Sequence, residues 1–268
     1  MYGTVVRTEQ LTPQLVRVVL GGEGLADFAD PQFADSYVNA FFLPAGADYA
    51  PPFEDEATRE LPREQRPYPR RYTLRSWDPQ TREMTIDFVV HGEVGYAGRW
   101  ALHARPGDRL QLRGPAGDYS PPTEADGVLL VGDESALPAI AACAEQVGAG
   151  IPVRAVVEVE DAAGEVELTS PGDLEVTYVH RSSAGDEDAL TRLLADTVAA
   201  LPRLDGVVSA FVHGEAESIR AVGHALRDGG LASPDHLSLS PYWRRGLTDE
   251  EWRSVKRDWV RALQSELA

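Results

Sequence analysis

The sequence predicts an α/β plus β protein of two parts. An N-terminal antiparallel β-barrel would occupy residues 1–121, and a doubly wound parallel α/β domain would occupy 122–268. Three observations carry this expectation. Short runs of alternating apolar and polar residues, punctuated by Gly and Pro, fill the first half, as in small antiparallel barrels. Pro121-Pro122 then marks a change of pattern. Beyond it, continuous apolar strands alternate with helical patterns, as in a parallel sheet covered on both faces.

Each element follows from local pattern. Residues 4–43 read as β-structure. Within them Val16–Leu20 forms a strand ended by Gly21-Gly22, and Tyr37–Leu43 another ended by Pro44. Residues 44–69 are rich in Pro, Glu and Asp with little periodicity, which predicts a long surface loop. Tyr72–Trp77 predicts a strand closed by Asp78-Pro79. Met84, Ile86, Phe88 and Val90 alternate with Thr85 and Asp87, the period of a half-buried strand. Pro106-Gly107-Asp108 makes a turn into the strand Arg109–Arg113, which Gly114-Pro115 ends.

In the second half, Gly127–Gly132 is an unbroken apolar run, as expected of a buried parallel strand. A helix over 137–147 follows. Strands at Val153–Val159, Val176–His180 and Val207–Val212 are separated by Leu190, Leu193, Leu194, Val198 and Leu201 at helical spacing; Ile219, Val222 and Leu226 line a further helix. Thr248 and Glu251 have capping-box spacing. Trp252, Val255, Trp259 and Leu263 then predict one apolar face, with Arg253, Lys256, Arg257 and Arg261 largely elsewhere.

Composition excludes several classes. The formal net charge of −18 argues against general binding to nucleic acid or an anionic membrane, which needs a basic surface. No apolar run approaches bilayer-spanning length, and Met1–Arg7 lacks a signal-peptide core, so a cytoplasmic protein is expected. Cys143 is the only cysteine, which leaves no internal disulfide and no thiolate cage. No His pair has i, i+4 spacing on a helix, so no bound catalytic metal is expected. Lys256 is the only lysine.

The stretch Arg70-Arg71-Tyr72-Thr73 carries the chemistry. On a strand Arg70 and Tyr72 share a face. An arginine fork clamps a phosphate, a tyrosine ring stacks on a flat cofactor and a hydroxyl bonds a ring nitrogen. Together they suit a flavin with a phosphate tail. Gly95–Trp100 would open a short helix whose small residues admit a pyrophosphate to free N–H groups. In the second half, Gly132-Asp133-Glu134-Ser135-Ala136 joins a strand to a helix at the sheet edge where ligands bind, and His213-Gly214-Glu215-Ala216 ends another strand at the same edge. Two acids there would repel a phosphate unless they face a ribose hydroxyl or turn away, and Asp133 as an N-cap is the bland alternative.

With these motifs in order, joined by Asp87–Gly92, Leu137–Ile140 and Tyr242-Trp243-Arg244-Arg245-Gly246, the chain resembles the siderophore-interacting protein family. These are flavin-dependent ferric-siderophore reductases of the ferredoxin-reductase-like superfamily. The resemblance implies FAD on the barrel and NADPH or NADH on the α/β domain. Arg70 would hold the FAD phosphate, Tyr72 would stack on the ring and Thr73 would bond near the reacting nitrogen. Leu74, Asp87, Val89, His91, Gly95, Ala97, Gly98 and Trp100 would complete the flavin contacts. Gly132, Asp133, Glu134, Ser135, Ala136, Gly214, Glu215 and Trp243 would meet the nicotinamide nucleotide, and Arg181 would read a 2′-phosphate.

Arg244, Arg245 and Lys256 are the candidate contacts to an anionic ferric chelate, on a segment and final helix expected to close over the flavin. A ferredoxin is an alternative donor. Three departures stand out: Asn39 replaces a lysine, Gly98 replaces Ser or Thr, and Pro241 replaces a glycine. The alternatives are a flavin reductase of the same fold with a different acceptor, and a non-catalytic carrier.

Overall fold

The computed structural model describes residues 1–92 and 95–267 and divides into two compact units, Met1–Asp118 and Tyr119–Ala268.

The first unit contains β1 (Tyr2–Thr12), β2 (Leu15–Gly21), β3 (Tyr37–Phe42), α1 (Asp55–Glu60), β4 (Tyr68–Thr73), β5 (Ser76–Asp78), β6 (Glu83–Val89), α2 (Tyr96–His103) and β7 (Arg109–Ala116). Its strands form one antiparallel sheet in the order β4-β3-β7-β1-β2-β6-β5. The sheet curls into a barrel: Tyr72 on β4 meets Phe88 on β6, with ring centroids 4.4 Å apart. Alternation sets the inner face. Val38, Ala40 and Phe42 of β3 and Met84, Ile86 and Phe88 of β6 are all buried. Each of the larger side chains contributes about 1.5–3 kcal/mol by leaving water.

Two sequence expectations need correction here. Residues 44–69 are not one long loop, because they contain α1 and the start of β4. Phe53 and Gln111 exchange hydrogen bonds, and Asp55 pairs with Arg113, so the segment is tied to β7. The single strand expected over 72–77 is also split. Leu74 donates to Ser36 O (2.7 Å) and Arg75 to Thr85 O (2.9 Å), so the chain changes partner between β4 and β5.

The second unit contains β8 (Gly127–Asp133), α3 (Leu137–Ala144), β9 (Pro152–Val159), β10 (Asp173–His180), α4 (Glu187–Ala200), β11 (Val208–Glu215), α5 (Ala216–Gly229), β12 (Leu237–Trp243) and α6 (Asp249–Leu267). The sheet order is β10-β9-β8-β11-β12 and every pairing is parallel. Every residue of β8 and β11 is buried, which explains the apolar runs Val128–Val131 and Ala210–Val212. Strand order reverses between β8 and β11, so their carboxyl ends flank the crevice where such sheets take ligands.

β12 escaped the sequence reading because Pro241 interrupts it; it is an edge strand, where a missing N–H is tolerated. The capping box of α6 forms as expected: Thr248 N–H donates to Glu251 Oε2 (2.8 Å) and Glu251 N–H to Thr248 Oγ1 (3.3 Å). Its apolar face differs. Trp252, Trp259 and Leu263 are buried, whereas Val255 is 42% exposed. At 3.6 residues per turn Lys256, four residues after Trp252, lies closer to that stripe than Val255 does, and it is half-buried. Among the described residues no helix is long and apolar enough to cross a membrane.

Candidate functional sites

On the first unit, β4 places Arg70 and Tyr72 on the inward face, opposite Ala40 and Val38 of β3. Both are half-buried, and Tyr72 is fixed edge-on to Phe42 (6.1 Å) as well as against Phe88. Thr73 and Leu74 are buried at the strand exit. α2 begins beside β6: a Cβ on Gly98 would meet Val89 O at 3.5 Å, ordinary contact. Trp100 reaches Phe42 and Phe88, with centroids 5.8 and 5.7 Å away. Gly95 precedes α2 with φ 79° and supplies no side-chain cap. Gly95, having no side chain, does not cap α2, and Tyr96, Ala97 and Gly98 follow in sequence. A helix start of this kind suits a phosphate, which the helix dipole favours.

Val89 is half-buried and His91 exposed at the end of the same strand. Asp87 is engaged differently from a free ligand contact. Its carboxylate takes Arg17 Nε (2.7 Å) and Nη2 (2.8 Å), a bidentate pair across the β2–β6 register.

On the second unit, Asp133 organises the crevice. Its Oδ1 accepts from the N–H (2.8 Å) and hydroxyl of Ser135, and its Oδ2 accepts from Glu215 N–H (2.8 Å) and Trp243 Nε1–H (2.8 Å). One carboxylate thus ties the ends of β8, β11 and β12. Packing leaves no room for side chains at the adjoining glycines. A Cβ on Gly132 would lie 2.3 Å from His213 O, and one on Gly214, at φ 146°, would lie 2.8 Å from Asp133 Oδ2. Glu215 caps α5, accepting from Ser218 N–H (2.9 Å), and also takes Arg245 N–H (3.0 Å). The α5 N-terminus therefore already carries a negative group. The α3 N-terminus, after Ala136, has no side-chain cap.

Arg181 sits just past β10, facing three acids. Its Nη2 lies 2.7 Å from Glu134, its Nη1 3.4 Å from Glu158 and its Nε 3.2 Å from Glu160. Burial, then the charge of Asp133, pushes the Glu158 carboxyl up to about 7 against the pull of Arg181 and Arg245. Burial also raises Glu134. Glu158 and Glu160 were not singled out in the sequence. The legible signal was an acid pair at the end of the second parallel strand, where an acid can meet a ribose hydroxyl. Arg17, the partner of Asp87, gave no such signal.

The three expected chelate contacts do not share one partner. Arg244 bonds Glu217 of α5 (2.9 Å), while the Arg245 guanidinium lies 3.9 Å from Glu187 of α4. Lys256 lies within electrostatic reach of buried His213, which is lowered to about 3 by burial first and by Lys256 second. His213 is held between Tyr242 (3.0 Å) and Ser238 (2.9 Å) and stacks on Phe211. Among the described residues no cluster of His, Cys, Asp and Glu is arranged to hold a metal.

Comparison with known proteins places these sites in context. Residues 4–119 match the siderophore-interacting FAD-binding domain, and residues 125–246 match the siderophore-interacting protein domain. The chain is 33% identical to the ferric vibriobactin reductase ViuB of Vibrio cholerae, over 94% of this chain and 92% of that protein. It is 30% identical to an NADPH-dependent ferric-chelate reductase of Escherichia coli, over 90% and 91%. A crystal structure of a siderophore utilization protein from T. fusca superposes with a TM-score of 0.78 at 36% identity, covering 93% and 94%. The two matched domains span most of the sequence, and the chain belongs to the siderophore-interacting protein family.

Proposed function

We propose that this protein reduces ferric siderophores, using FAD on the barrel and a nicotinamide nucleotide on the α/β unit, and so releases Fe(II). The observation that carries the reading is the inward face of β4. Arg70 and Tyr72 share it, in a unit whose α2 opens after Gly95, a residue with no side chain to cap the helix. When bound, FAD would supply the redox step, taking a hydride from the nicotinamide and returning single electrons to Fe(III).

The remaining roles belong to the chain. Arg70 would clamp the flavin phosphate, and the α2 N-terminus would take the pyrophosphate. Tyr72, braced by Phe42 and Phe88, would hold the ring, and buried Thr73 would present its hydroxyl near the reacting nitrogen. On the second unit, Gly132 and Gly214 let β8, β11 and α3 pack closely at the crevice, and the dipole at the start of α3 would favour the nucleotide phosphates. Asp133 and Glu215 hold that crevice in shape rather than touching phosphate, because their oxygens already accept from protein donors. Asp87 likewise would act through Arg17 in fixing β6. Arg244, Arg245 and Lys256 are offered as contacts to the anionic chelate, which is substrate and needs no protein ligand to iron.

The test is spectroscopic. Purified protein should show flavin bands, or gain them with added FAD. Anaerobic NADH or NADPH should bleach them, and a ferric hydroxamate or catecholate should restore them as Fe(II) appears in a ferrozine trap. Protein that stays colourless after incubation with FAD would refute the reading. Bleaching by reduced ferredoxin alone would move the donor from nucleotide to protein.

A further inference from the structure

We propose that the edge formed by β9 and β10 selects NADH over NADPH, with Glu160 accepting a hydrogen bond from the adenosine 2′-hydroxyl. The inference deepens the nicotinamide reading above and rests on it.

Arg181 is the residue placed to read a 2′-phosphate, and the structure shows what occupies it. Each of its three guanidinium nitrogens faces a different carboxylate, Glu134, Glu158 or Glu160. Glu134 and Glu158 are buried, with side chains only 6% and 2% exposed. Turning Arg181 toward a phosphate would strip both of their cation, and an uncompensated buried charge is costly. With Glu134 and Glu160 ionised the group stays net negative whichever form Glu158 takes. A 2′-phosphate, itself close to a dianion at neutral pH, would enter against that charge.

Glu158 Oε2 is fully buried and has no hydrogen-bond partner among the described residues, so the acceptor capacity open to a ribose hydroxyl belongs to Glu160. Glu160 is the accessible member, with its side chain 47% exposed, and it follows the last residue of β9. An acid at the end of the second parallel strand is where dinucleotide-binding sheets meet a free ribose hydroxyl. The wider field acts in the same direction. Residues 119–268 carry 12 Lys and Arg against 26 Asp and Glu, a net of −14. A 30% identical relative is named for NADPH dependence, so the family does not supply a preference for NADH, which rests on the residues of this edge.

Calorimetric titration of the FAD-loaded protein with NAD+, NADP+, 5′-AMP and adenosine 2′,5′-bisphosphate tests this without turnover. The 2′-phosphorylated ligands should bind about tenfold or more weakly than their partners, a ratio in the range set by one mismatched polar contact. Glu160→Gln should weaken NAD+ a few-fold, and Glu160→Arg should narrow or reverse the ratio; circular dichroism checks that both fold. The same ratio should appear in kcat/KM for flavin reduction. NADP+ binding as tightly as NAD+, or a ratio unmoved by Glu160→Arg, would overturn the selection while leaving the nicotinamide site standing. Failure of all four ligands to bind would overturn both.

Discussion

Asp133→Asn isolates the brace of the second unit's crevice. The wild-type carboxylate accepts four hydrogen bonds, two at each oxygen. An amide must replace one oxygen with an NH2 donor. Placed at Oδ2, that donor would oppose both Glu215 N–H and Trp243 Nε1–H. Placed at Oδ1, it opposes only Ser135 N–H, because the Ser135 hydroxyl can rotate to accept. The variant therefore adopts the second orientation and loses one charge-assisted bond outright, about 1.5–3 kcal/mol. The three that remain lose their ionic assistance, while the neutral side chain is cheaper to bury. A net cost of about 2–4 kcal/mol follows for the second unit. For a unit of that size this lowers Tm by roughly 5–15 °C. Urea unfolding followed by circular dichroism reads it, and a cycle with Trp243→Phe should give a coupling of about 1–2 kcal/mol. A change under about 0.5 kcal/mol, or an additive cycle, would show that Asp133 is not the tie between β8, β11 and β12.

Three further predictions follow from burial and space. Glu158 titrates at about 7 when folded, above its ordinary 4.5, so its contribution is full below pH 4.5 and is lost as pH rises through 7. That loss is about 3 kcal/mol, and Glu158→Gln should flatten the fall in unfolding free energy between pH 5 and 8; an unchanged slope would refute it. His213 behaves oppositely: lowered from 6.5 to about 3, it gives stability present above pH 6.5 and lost as pH falls toward 3. His213→Gln should reduce acid sensitivity in that window, and identical acid unfolding of both proteins would count against a buried neutral imidazole. Gly98→Ser has room for its Cβ and adds a hydroxyl at the start of α2. FAD affinity by fluorescence quenching should rise several-fold, about 1 kcal/mol, and an unchanged affinity would argue against a pyrophosphate at that helix.

The fold was legible where one physical signal dominated. β8 reads as buried because Val128–Val131 are all apolar, and β6 reads as half-buried because Met84, Ile86 and Phe88 alternate with polar residues. α6 announces itself through Thr248 and Glu251. β12 was hidden because Pro241 argues against a strand unless the strand is known to be an edge, which is a property of the assembled sheet. The break between β4 and β5 was hidden for the same reason, since Leu74 and Arg75 change partners that lie far off in sequence, Ser36 and Thr85. Val255 and Lys256 exchanged expected places because apolar character was weighed above helical angle. In the candidate sites, residue type singled out Arg70, Tyr72 and Gly132. It gave no hint that Asp87 meets Arg17 or that Arg181 meets three acids, because those pairings join strands distant in sequence.

The acids of the β8 and β11 turns pose a physical problem for any phosphate ligand, and their partners resolve it. Asp133 is turned into the protein by three backbone and side-chain N–H groups and one hydroxyl. Glu215 spends its charge on the first turn of α5, and Glu134 spends its own on Arg181 and on Glu160 N–H (2.9 Å). At the start of α3 Pro138 has no N–H, and those of Ser135, Ala136 and Ala139 donate to Asp133 and Ala136, so an anion there would meet chiefly the helix dipole and Leu137 N–H. Gly132 cannot carry a side chain there without striking His213 O. The proposed nucleotide site would then divide by chemistry, with the start of α3 toward phosphates and the carboxylates past β9 toward hydroxyls. Reversing that order would require a free cation beyond β10. The cation immediately past β10, Arg181, is already committed to Glu134, Glu158 and Glu160.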